Sequence, residues 1–141
     1  MINKDLERVL VFGTFDIIHK GHMNFFVQAR ALSKTPFLIV SVARGKNVAK
    51  IKGVLPKNSQ QVRVLHLKKV KIVDKVVLGA ETDYISHILK LKPKIIALGY
   101  DQKAYTKNLK ELLSKKGLKP KIYRLKAHFP TKYKTSLLNN K

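Results

Sequence analysis

The 141-residue chain contains no cysteine and no tryptophan, and only 8 acidic residues stand against 30 lysines and arginines. Without cysteine the chain forms no disulfides and has no thiolate chemistry, which fits a cytoplasmic protein. No apolar run approaches the ~20 residues of a membrane-spanning helix, so we expect no membrane partner. The first residues lead directly into an apolar run at Val9, which leaves no room for a signal peptide.

The shortage of acidic residues gives the chain a formal net charge of +22 at pH 7. The lysines are scattered along nearly every segment and are not gathered in one arm. A diffuse positive field attracts nucleotides and also binds RNA loosely. A lysine-rich cellular background explains the same composition, and the field says nothing about the fold.

Apolar and amphipathic segments alternate along the chain, and 45% of the residues are hydrophobic. The length predicts one domain over residues 1–141. The alternation predicts an α/β fold, a Rossmann-like doubly wound sheet of about five parallel strands with helices on both faces. The predicted strands are 9–12, 37–43, 73–78, 95–98 and 121–125. The predicted helices are 23–32, 60–69, 83–91 and 107–116, with a short last helix near 134–138. Segments 44–53 and 99–102 are predicted loops.

The most informative segment is 9–22, which reads VLVFGTFDIIHKGH. It predicts a buried strand, a glycine turn and the start of a helix, with His19 and His22 at the junction. Unpaired N–H groups and the helix dipole make a helix N-terminus favourable for phosphate. Gly21 has no Cβ and lets a phosphate approach the backbone closely. The His-x-x-His spacing predicts that both rings lie on one face of the first turn.

Residues 13–22, GTFDIIHKGH, resemble the signature of the cytidylyltransferase-like nucleotidyltransferases. The resemblance implies that His19 and His22 contact a nucleoside triphosphate and stabilise charge on the attacked phosphorus. A metal site and two surface histidines are the alternatives. Because the chain lacks cysteine and has no carboxylate at ligand spacing, we predict no protein-bound zinc.

Ligands of such sheets bind outside the carboxyl ends of the strands, so we look for candidate site residues in the segments that follow the predicted strands. The predicted catalytic residues are His19, His22, Lys50 and Lys52. The predicted nucleotide-binding residues are Gly13, Thr14, Phe15, Asp16, His19, Gly21, His22, Gly99, Tyr100, Asp101, Gln102, Lys134, Thr135 and Ser136. The predicted acceptor-binding residues are Arg44, Arg63 and His128.

Three of these residues keep two interpretations. Asp16 either contacts the metal or the acceptor, or braces its loop by accepting backbone N–H bonds. Asp101 either accepts from an amine of the base or binds the ribose. Arg63 either reaches the mouth of the site or is exposed on its helix.

Segments 40–44, 47–48, 50–53, 73–79, 96–102 and 134–136 are similar to the archaeal-type FAD synthases. The resemblance implies transfer of AMP from ATP to FMN, with a divalent metal such as Mg²⁺. Two alternatives stay open: a CTP-dependent glycerol-3-phosphate cytidylyltransferase, and a nucleic-acid-binding protein on the same scaffold. The expected partners are therefore a nucleoside triphosphate and a small-molecule acceptor. We also expect a homodimer, the commonest assembly.

Overall fold

A computed structural model of the chain describes residues 5–100, 102 and 108–126. Within these residues the strands form one five-stranded sheet in the order β3-β2-β1-β4-β5, and every neighbouring pair is parallel. The predicted α/β class is therefore confirmed. The strands are β1 (Glu7–Gly13), β2 (Pro36–Val42), β3 (Lys75–Leu78), β4 (Ile95–Leu98) and β5 (Lys121–Arg124).

Helices connect the strands, and the described ones are α1 (Lys20–Arg30), α2 (Gly45–Lys52), α3 (Gln60–Lys68), α4 (Tyr84–Leu91) and α5 (Leu109–Lys115). The prediction of a loop over residues 44–53 is wrong, because α2 occupies most of it. Val48 is buried on the inner side of α2, and Gly53 ends the helix with a left-handed φ of 82°. The predicted tail helix near 134–138 lies outside the described residues.

Successive residues of β1 fill the cores on opposite faces of the sheet. Val9 and Val11 belong to the core cluster that includes Phe26 of α1 and Leu67 of α3. Leu10, between them, belongs to the cluster that includes residues of α4 and α5. Since side chains alternate across a strand, a continuous apolar run is what a sheet covered on both faces requires. Helices on both faces are thus confirmed.

The strand order places a switch point beside β1. The chain builds outward from β1 through β2 to β3, then returns to form β4 on the other side of β1. Crevices at such points, outside the carboxyl ends of the strands, are where α/β sheets bind ligands. The crevice between β1 and β4 is bridged by Gln102, whose Nε2 donates to the carbonyl oxygen of Phe12 over 2.8 Å.

Candidate active site

Two histidines cap the first turn of α1, and the side chain of each accepts a hydrogen bond from a backbone N–H group. Nδ1 of His19, the N-cap, accepts from the backbone N–H of Gly21 over 3.0 Å. Nδ1 of His22 accepts from the backbone N–H of His19 over 3.2 Å. This is a capping box in which imidazoles replace the usual hydroxyl and carboxylate. The predicted placement of both rings at a helix N-terminus is confirmed.

The cap fixes which ring nitrogen of each neutral imidazole carries its proton. Because Nδ1 of His19 and Nδ1 of His22 both act as acceptors, the neutral rings carry their hydrogen on Nε2. The rings stack with their centroids 3.9 Å apart. Stacking aligns the two rings beside the first turn of α1. His19 thereby keeps an N–H donor that the cap does not consume, whereas the His22 ring also forms a hydrogen bond with the backbone of Ile17.

Burial keeps His22 neutral in the folded protein. Desolvation is the main cause that lowers the pKa of His22 from 6.5 to about 4, and the charge of His19 lowers it further. The ring of Phe15 packs edge-on against His22, with centroids 5.3 Å apart. His19, by contrast, is exposed. At neutral pH the unliganded site therefore holds an uncharged donor at His22.

The glycine at the end of β1 makes room for the ring that supports His22. Phe15 has a left-handed φ of 52° and is buried in the core against Phe26. A Cβ at Gly13 would lie 2.5 Å from Cζ of Phe15, so no larger residue fits there without moving the ring. The side chain of Phe15 thus packs in the core.

Arg63 of α3 is fully buried and joins three segments that border the site. Its guanidinium donates to the carbonyl oxygens of Asn58 at 3.1 Å, Thr14 at 3.0 Å and Ala43 at 2.7 Å. The interpretation that Arg63 is exposed is therefore wrong. Its Nη2 is buried and has no hydrogen-bond partner in the described part of the chain. Burial lowers the pKa of Arg63, and the charge of Asp16 opposes that shift.

Asp16 braces the loop that leads to the histidines. Its two carboxylate oxygens accept from the backbone N–H groups of Lys57 at 2.7 Å and Asn58 at 2.9 Å. The Asn58 amide returns a bond to the Asp16 carbonyl oxygen over 2.8 Å. The hydrogen bond from the Asn58 N–H is the main cause that lowers the pKa of Asp16. These contacts favour the bracing interpretation of Asp16.

The predicted cations after β2 lie on α2 rather than on a loop. Lys50 and Lys52 are exposed in its last turn. Arg44, the N-cap residue, donates through Nε to the carbonyl oxygen of Gly79 over 2.8 Å, which ties α2 to the end of β3. The Arg44 side chain is thus committed to the backbone, whereas the two lysines remain open to solvent.

On the far side of the crevice, Gln102 closes the loop after β4 upon itself. The Gly99 N–H donates to Oε1 of Gln102 over 2.7 Å, while Nε2 of Gln102 reaches β1. Nη1 of Arg124 donates to the carbonyl oxygens of Gly99 and Gln102. Sequence reasoning missed Arg124, because an arginine at the end of an edge strand carries no motif. Tyr100 is 56% exposed beside this loop. The predicted site residues Asp101, His128, Lys134, Thr135 and Ser136 lie outside the described residues.

Metal ligands are not concentrated at this site. Over residues 5–100, 102 and 108–126, no three His, Asp or Glu side chains are grouped so that they could hold a metal ion. In the same part of the chain, no helix has the length and apolar character needed to cross a membrane.

The depressed pKa of His22 predicts a loss of stability in acid. The unfolded chain takes up a proton at His22 near pH 6.5, whereas the folded protein does so only near pH 4. The free energy of unfolding should therefore fall as the pH drops through this interval. Urea unfolding at pH 7 and pH 5 measures the fall, and His22→Gln should show a smaller one. Equal falls in both proteins would contradict the assignment.

Replacing the buried guanidinium should loosen the loops that it joins. A lysine ammonium in Arg63→Lys cannot reach all three carbonyl oxygens, so we expect the free energy of unfolding to drop by about 3 kcal/mol. The matched control is Arg124→Lys, because Arg124 also binds carbonyl oxygens but is exposed. This substitution should lower the free energy of unfolding by less than about 1 kcal/mol. Denaturant titration compares the two, and equal losses would refute the role given to Arg63.

Relatives of known name match most of the chain. It is 48% identical to the FAD synthase of Archaeoglobus profundus over 132 residues, which cover 93% of this chain and 82% of that protein. It is also 48% identical to the FAD synthase of Korarchaeum cryptofilum over 120 residues, which cover 84% of this chain and 81% of that protein.

A solved structure has a similar fold. The lipopolysaccharide core biosynthesis protein from Thermoplasma volcanium superposes with a TM-score of 0.79 at 34% identity, covering 86% of this chain and 98% of that one. The profile of the Cytidylyltransferase-like family matches residues 10–140. The chain therefore belongs to the cytidylyltransferase-like family.

Proposed function

We propose that this chain is an FAD synthase, a nucleotidyltransferase that transfers AMP from ATP to FMN and releases pyrophosphate. The observation that carries the proposal is the reciprocal cap of His19 and His22, which holds both imidazoles at the helix start that follows β1, the strand at the switch point. The similarity to archaeal FAD synthases over most of the chain supports FMN as the acceptor.

The reaction joins two phosphates. A phosphate oxygen of FMN attacks the α-phosphorus of ATP, a new P–O bond forms, and the bond from that phosphorus to the oxygen bridging the α- and β-phosphates breaks. The electron pair leaves with pyrophosphate, so negative charge grows on the non-bridging oxygens and on the departing group. Fixed donors aimed at these oxygens lower the barrier with little need for covalent chemistry.

His19 and His22 are suited to this task, because their hydrogen bonds to the backbone already fix the direction of each ring. A neutral ring donates through Nε2. A bound triphosphate favours protonation of the ring, because negative charge raises the pKa of a neighbouring imidazole. The positive end of the α1 dipole acts in the same direction. Lys50 and Lys52 are the proposed partners of the β- and γ-phosphates.

Magnesium enters this proposal as part of the substrate, bound to ATP. Mg²⁺ is commonly held by one or two carboxylates together with phosphates and water. The one carboxylate in the described part of the motif, Asp16, already accepts two backbone N–H groups. The triphosphate and water would therefore supply most of the ligands. A cytoplasmic homodimer remains part of the proposal and rests on composition and on the frequency of dimers.

The test pairs each nucleotide with each acceptor. ATP or CTP is incubated with FMN or glycerol 3-phosphate, and both pyrophosphate and the joined product are measured. We expect product from ATP and FMN. Product only from CTP and glycerol 3-phosphate would overturn the flavin assignment, and the absence of product from every pair would favour a role in nucleic-acid binding.

Removal of one imidazole should affect turnover more than binding. His22→Ala should lower kcat by about 10²–10³, because its hydrogen bond strengthens as charge develops, while ATP affinity changes by only a few fold. His66→Ala, which removes an exposed histidine of α3, is the control and should leave both unchanged. Equal losses in kcat and ATP affinity would mean that His22 only holds ground-state phosphate.

A further inference from the structure

Three large apolar side chains lie exposed within five residues of one another at the end of α2 and in the turn that follows. Ile51 is 73% exposed, Val54 67% and Leu55 69%. Single exposed apolar residues are ordinary on a soluble protein, whereas a contiguous group marks a binding surface. These three residues are called the apolar patch below.

The apolar patch is attached to the loop that carries the histidines. Lys57 and Asn58, which follow the patch, donate their backbone N–H groups to Asp16. His19 stands three residues beyond Asp16, and Leu55 stands three residues before Asn58. Each three-residue segment spans at most about 10 Å, so the patch and the imidazoles belong to two short segments that are joined at Asp16. Cδ2 of Leu55 also lies 3.9 Å from the position of a Cβ at Gly45, the start of α2.

Cations surround the apolar patch. Lys50, Lys52 and Lys57 alternate with it along the chain, and all three are exposed. None of them forms an ion pair with a described residue. A surface that combines apolar area with available ammonium groups is complementary to a ligand that carries both a broad apolar ring and a phosphate.

We propose that the apolar patch binds the isoalloxazine ring of FMN, the acceptor, and that Lys57 beside the patch binds the phosphate of FMN. The inference rests on the proposed function and assigns the acceptor a place on α2 and its following turn. Of the two substrates, FMN has the larger apolar ring. The predicted site for the adenine of ATP is the loop after β4, where Tyr100 is exposed.

The test is a fluorescence titration of FMN with the protein in the absence of ATP, since burial of the isoalloxazine ring changes its emission. Leu55→Ser should raise the Kd for FMN about tenfold, because one apolar contact is lost. Leu55→Met should keep the Kd within about twofold. The matched control is Leu65→Ser on α3, which replaces another leucine that is 57% exposed and lies outside the patch. It should leave the Kd unchanged.

A second ligand separates the ring from the phosphate. Ribitol 5-phosphate carries the side chain and phosphate of FMN without the ring, and its affinity can be measured by competition. Leu55→Ser should leave the affinity for ribitol 5-phosphate unchanged while weakening FMN. Equal weakening of both ligands would overturn the inference, because the substitution would then act on the phosphate site or on the fold.

The other occupant of such a surface is a second copy of the chain. Sedimentation equilibrium of the wild type and Leu55→Ser distinguishes the two cases. A shift in oligomeric state with an unchanged Kd for FMN would overturn the ring assignment.

FAD formation by the wild type is scored separately. If FAD forms while Leu55→Ser keeps its Kd, the patch inference fails and the proposed function stands. If no FAD forms, the proposed function fails, and the Kd ratio still decides whether the patch binds the ring.

Discussion

The reciprocal cap between His19 and His22 is the interaction on which the site depends. The first turn of any helix leaves N–H groups without intrahelical partners, and here the side chains that satisfy two of the backbone groups are the ones that we propose to contact the nucleotide. The helix start and the tautomer of both rings are therefore fixed by the same two hydrogen bonds. An enzyme that supplies donors to a developing charge gains most when those donors need not reorient.

Beneath this cap, the loops are held by side chains that bind the backbone. Arg63 satisfies carbonyl oxygens from the ends of β1 and β2 and from the turn before α3. Asp16 accepts from N–H groups of that same turn. Gln102, in the loop after β4, accepts from one backbone N–H and donates to one backbone carbonyl oxygen. Backbone groups at the ends of strands lose their sheet partners, so a buried polar side chain can replace several of them at once. Side chains bound to the backbone thus brace the floor of the crevice.

Local sequence signals predicted much of this structure and failed where the determinant was tertiary. The strand 95–98 and the helix that begins at residue 60 follow from short patterns, since each depends on residues next to it. The helix α2 was missed, because its glycine and lysines suggest a solvated loop and Val48 is its one buried residue. The three carbonyl partners of Arg63 lie 5, 20 and 49 residues away, a distance at which no spacing rule operates.

The residues around the crevice differ in how firmly the described structure holds them, and this difference bears on specificity. The histidines, Asp16, Arg63 and Gln102 are bound to the backbone, whereas Lys50, Lys52 and the apolar patch point into solvent. The firmly held groups face chemistry that is the same for any transfer of a nucleotide to a phosphate. Under the proposed function, the exposed rim selects the acceptor, and a substitution there alters recognition without disturbing the histidine donors.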